Sequence, residues 1–97
     1  MKARLIYREK FIYADGGIRE MVLWQLPETT AERPYGLKYR LYYGLPDGTC
    51  GVLYDNESGK GDHRHFQGAE ESYPFAGVEV LVADFLEDIE KVRRESR

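Results

Sequence analysis

Apolar and polar positions alternate in short stretches over the first three quarters of the chain, and the period then changes. Residues 3–13 are rich in Leu, Ile, Tyr and Phe and predict a strand. Ala14-Asp15-Gly16-Gly17 follows, and Asp-Gly and Gly-Gly supply the positive φ values of a tight hairpin. Residues 18–26 predict the return strand, with Ile18, Val22, Trp24 and Leu26 lining one face and Glu20 the exception; Pro27 ends it. Residues 28–36 are polar, contain Pro34 and read as a loop. The alternation is cleanest over residues 37–43. Leu37, Tyr39, Leu41 and Tyr43 face one way there, and Lys38, Arg40 and Tyr42 the other. Leu45-Pro46-Asp47-Gly48 predicts a second turn, and residues 50–54 a fourth strand antiparallel to the third. Residues 56–61 read as a flexible loop and residues 63–66 as one further short extended piece. Residues 67–72 are polar, and no strand is read there. From Gly77 the period becomes helical. Val78, Leu81, Val82, Phe85, Ile89 and Val92 form one stripe, with acidic residues early and Lys91, Arg93 and Arg94 late, which suits the helix dipole.

These elements predict an α+β fold. It is a meander-like antiparallel sheet of four or five strands with one C-terminal helix packed on a face, in a single domain over residues 1–97. The other face would carry Lys38, Arg40 and Tyr42, exposed or covered by a partner.

Composition narrows the class. With 97 residues and 42% hydrophobic content the chain can build a core without staples. No apolar run approaches the ~20 residues of a membrane span, and Arg4 and Arg8 break the N-terminal stretch, so no signal peptide is read. Cys50 is the single cysteine, which excludes an intramolecular disulfide and favours the reducing cytoplasm; it is read as a small buried side chain. The net charge of −3 argues against a protein that simply coats nucleic acid. The charge is uneven, however: residues 1–66 hold ten Lys/Arg against nine Asp/Glu, and residues 67–97 four against eight. A local basic patch can still meet phosphates. The eight tyrosines suit half-buried strand positions before stacking platforms, and Trp24 reads as core before ligand platform.

The chemistry is concentrated between Tyr54 and His65. Both histidines lie here two residues apart, so in an extended chain His63 and His65 share a face, with Asp62 and Arg64 on the opposite side. Two imidazoles near a phosphodiester can divide the work of RNA cleavage, one taking the 2′-hydroxyl proton and the other protonating the leaving 5′-oxygen. Lys60, flanked by Gly59 and Gly61, or Arg64 would offset charge on the phosphorane. Asp62 or Asp55 would orient a histidine. Tyr54, Asp55 and Asn56, with the strip Lys38 and Arg40, would bind substrate. This reading needs no cofactor. The competing chemistry is a Zn²⁺ or Mn²⁺ site of His63 and His65 with a carboxylate from Asp62 or Asp55, in a metal-dependent phosphate-ester enzyme. A third reading makes the segment a recognition loop of a non-catalytic binding module.

Several stretches together resemble a known family. They are Tyr13-Ala14-Asp15-Gly16, Trp24 with Pro27, Gly36-Leu37-Lys38-Tyr39-Arg40-Leu41, and Tyr54-Asp55-Asn56 running through Gly59-Lys60-Gly61-Asp62-His63-Arg64-His65. The chain resembles the TumE-type toxins of prokaryotic type II toxin–antitoxin systems, from Lys2 to the C-terminal helix. The resemblance implies a toxin blocked by direct binding of a cognate antitoxin protein, often one with a helix-turn-helix DNA-binding domain. RNA as the target is the inference from the histidine pair. A homodimer is equally open, because one sheet face or edge remains available.

Overall fold

The computed structural model describes residues 2–31, 33–57 and 59–95. Among these, six strands and a helix follow one another: β1 (Arg4–Ile12), β2 (Ile18–Gln25), β3 (Leu37–Gly44), β4 (Cys50–Asp55), β5 (His63–Phe66), β6 (Ala69–Ser72) and α1 (Val78–Glu95). The sheet order is β1-β2-β3-β4-β5-β6, with every neighbour antiparallel. The meander is as predicted, but it has six strands rather than four or five. The short piece at residues 63–66 is a full strand, and residues 69–72, read as polar connection, pair with it. The turn between them explains why. Gln67 and Gly68 both have positive φ, 51° and 83°, as a two-residue hairpin loop of matching twist requires. All four residues of β6 are exposed, so no apolar periodicity announced the strand.

The helix lies over β3 and β4. Met21 and Leu23 of β2, Tyr39, Leu41 and Tyr43 of β3, and Val52 and Tyr54 of β4 meet Leu81, Phe85, Ile89 and Val92 of α1. Burying a side chain of this size contributes about 1.5–3 kcal/mol. The inward face of β3 is the predicted one. On β2 the odd positions point inward, whereas the face of Val22 and Trp24 points away from the helix. Trp24 is therefore half-buried on the outer face, opposite Lys38, and not in the core. Cross-strand partners share a face, so the position of Lys38 settles that of Trp24. Val78 is exposed, and the buried helix stripe starts at Leu81 and includes Asp88.

β1 is an edge strand. It exposes Leu5, Ile6, Tyr7, Phe11 and Ile12, and an irregularity between Leu5 and Tyr7 interrupts its ladder. Among the described residues no helix is long and apolar enough to cross a membrane.

Candidate functional site on the open sheet face

The register brings a set of polar side chains together on the face away from α1. One cross-strand row runs Val22, Arg40, Asp55, His63, Ser72, and the next runs Glu20, Tyr42, Leu53, His65, Glu70. Because strand residues alternate, these rows put Asp55, His63, His65 and Glu70 on one surface with Lys38 and Arg40. The predicted shared face of His63 and His65 is what the structure shows: their rings lie 5.6 Å apart, edge to face.

The two histidines differ in their surroundings. His63 is buried, at 6% exposure. Its Nδ1 is 3.1 Å from the Gly61 carbonyl oxygen, and its Nε2 is 2.6 Å from Asp55 Oδ1. Both neighbours are acceptors, so the ring satisfies them together only when a cation, proton or otherwise, accompanies each nitrogen. His65 is about one-third exposed, with Nε2 3.5 Å from Glu70 Oε1. Glu70 is the hub: His63 Nε2 approaches the same oxygen at 3.6 Å and Lys60 Nζ at 3.8 Å. Glu70 was not singled out from the sequence. Its signal was the Gln67-Gly68 turn, which folds residue 70 back beside residue 65. Arg40 is exposed, stacks on the Tyr42 ring at 5.1 Å and stands across from Asp55.

Four of the predicted site residues lie elsewhere. Arg64 projects to the helix face. Its Nε and Nη2 donate to the two carboxylate oxygens of Asp88 at 2.6 and 2.9 Å, and Nη1 pairs with Glu71. The Asp88 hydrogen bond pushes the guanidinium further up, so its charge is permanent but committed. Tyr54 is 1% exposed and donates to Asp88 at 2.5 Å; burial first, then that carboxylate, pushes its hydroxyl up. Asp62 faces Tyr39 and Arg33 in a small cleft, where burial raises its carboxyl. The carboxylate in contact with His63 is that of Asp55.

Asn56 is a clip within the fold. Its Oδ1 accepts from the Tyr39 amide at 3.0 Å, and its Nδ2 donates to the Leu37 carbonyl at 2.8 Å. Replacing it with alanine orphans a buried amide, and about 1–3 kcal/mol of stability is expected to be lost in a urea titration. Cys50 is exposed at the start of β4, not buried as predicted. The partial burial it has raises its thiol, with Arg40 opposing, which is the wrong direction for a nucleophile.

A family model described as Toxin TumE matches residues 2–93. The chain belongs to this toxin family. The match takes in all six described strands, and with them the whole open-face cluster. Membership of the TumE family makes the protein a toxin and implies an antitoxin partner. No curated protein and no solved structure matches in the parallel comparisons.

Proposed function

We propose that this toxin acts on RNA in the cytoplasm, as a small ribonuclease that needs no metal for the chemical step. The observation that carries the reading is the pair of adjacent cross-strand couples, Asp55–His63 and His65–Glu70, set beside Lys38 and Arg40 on a sheet face that α1 leaves uncovered. Lys38 and Arg40 are exposed and suited to phosphates, and half-buried Trp24 offers a ring face beside them. His65 and Glu70 divide the proton work. One takes the proton of the 2′-hydroxyl as its oxygen attacks phosphorus. The other gives a proton to the departing 5′-oxygen, leaving a 2′,3′-cyclic phosphate. Arg40 and Lys60 meet the charge that builds on the phosphorane.

Here the partner of His65 is Glu70 and no longer His63. His63 is enclosed by Asp55 and Gly61 and serves as a positioning residue behind the pair. The antitoxin neutralises the toxin by covering this face, and the apolar free edge of β1 gives it a second contact.

The test uses purified protein and total RNA in the presence of a chelator. Cleavage with cyclic-phosphate ends is expected, and an oligonucleotide carrying a single 2′-deoxy sugar at the cut position should stay whole. RNA left intact by protein that arrests growth on expression would sink the ribonuclease reading.

A further inference from the structure

The same cluster has the donor set of a transition-metal site, and we infer that it binds one Zn²⁺ per chain through His63, His65, Glu70 and Asp55. His63, His65 and Glu70 each offer one ligand atom, and these lie within 4.8 Å of one another. Around a tetrahedral Zn²⁺ with bonds near 2.0–2.1 Å, neighbouring donors stand about 3.3–3.4 Å apart. Glu70 Oε1 is 3.6 Å from His63 Nε2 and 3.5 Å from His65 Nε2. Two edges of the tetrahedron are thus close to their required length before any ion enters.

The surroundings of His63 give a second argument. A metal-binding histidine normally donates its other ring N–H to a carbonyl or carboxylate, which fixes the tautomer. The 3.1 Å contact of Nδ1 with the Gly61 carbonyl is such an anchor, and it turns the Nε2 lone pair into the cluster. Facing that lone pair at 2.6 Å is Asp55 Oδ1, a buried oxygen with no hydrogen bond among the described residues. Two electron-rich atoms at this distance need a cation. A proton is one solution; Zn²⁺ is another, and it engages His65 and Glu70 as well. Asp55 then becomes the fourth ligand, its contact with His63 lengthening by ~0.7 Å to reach a tetrahedral edge.

Two imidazoles and two carboxylates suit Zn²⁺. Mg²⁺ and Ca²⁺ prefer all-oxygen shells. Strand alternation and the β5–β6 turn bring His63, His65 and Glu70 together on paired strands, and Asp55 completes the set by a small shift. Four protein ligands leave no open position. Resting on the ribonuclease reading, it follows that Zn²⁺ switches the toxin off, because it takes the lone pairs of His65 and Glu70 that would move protons.

The test is calorimetric titration of metal-free protein with Zn²⁺ alone, alongside His65→Ala and Glu70→Gln. Both side chains are partly exposed, so both variants should fold, which circular dichroism checks. One saturable site per chain is expected, with affinity at least tenfold lower in each variant. Absence of a saturable site overturns the proposal, and so does binding that both variants retain. RNA cleavage measured on the same samples separates the two ideas. Cleavage without Zn²⁺ binding overturns the metal site and leaves the ribonuclease standing. Zn²⁺ binding without cleavage at any zinc level supports the site and removes the nuclease.

Discussion

Asp88→Ala is expected to destabilise the protein by on the order of 3 kcal/mol, because it breaks a buried charge pair and leaves both partners stranded. Asp88 is 3% exposed on the inner face of α1. It receives two hydrogen bonds from Arg64 on β5 and one from Tyr54 on β4, and so ties the helix to two strands at once. Removing the carboxylate buries the Tyr54 hydroxyl without a partner and leaves a guanidinium partly desolvated. Glu71 keeps a hold on Arg64 at the surface, which places the cost at the low end of the range for such pairs. With a urea slope of about 1–3 kcal/mol/M, the unfolding midpoint should fall by roughly 1–3 M. Asp88→Asn keeps an acceptor for Tyr54 and should lose less. A midpoint within ~0.3 M of wild type for the alanine variant would show that hydrophobic packing alone seats the helix.

His65→Ala should abolish growth arrest while leaving the fold intact. Removing a general acid or base costs about 10²–10⁴-fold in rate, and His65 is exposed enough to lose without a cavity. Glu70→Gln should behave alike. His63→Ala should fail in a different way, because it takes away the ion-pair partner of the largely buried Asp55 carboxylate, at about 1–3 kcal/mol of stability. Growth and total RNA are compared after induction, at matched levels of folded protein. Arrest with RNA fragments in wild type, and neither in His65→Ala, ties the toxicity to the open-face cluster. Arrest that survives both His65→Ala and Glu70→Gln removes the acid–base pair, and the face is then a docking surface.

The sequence made the strands legible where alternation was strong. Residues 37–43 revealed both faces of β3, and through it the exposed Lys38 and Arg40. β2 was harder, since Ile18, Val22 and Trp24 outline an apolar face as convincing as that of Met21 and Leu23; only pairing with β3 decides which turns inward. β6 was illegible because Glu70, Glu71 and Ser72 have neither the propensity nor the pattern of a strand; backbone pairing to β5 holds them. That omission hid Glu70 from the site. The i, i+2 rule separated His63 and His65 from Arg64, but Asp88, the partner that claims Arg64, lies 24 residues further along. Tyr54 and Asn56 were drawn into the candidate site by closeness in sequence, which says little about which face of a sheet a side chain takes.

The meander carries a consequence for how the molecule is born. Every strand pairs only with its neighbours in sequence, so each closure needs just the hairpin before it. Short closures favour fast folding for a sheet protein, and the ladder can grow strand by strand as the chain leaves the ribosome. The helix follows all six described strands in the chain, so the apolar side of the growing sheet stays bare until residues 78–95 emerge. The face bearing the histidines therefore leaves the ribosome ahead of the half of the core that stabilises it.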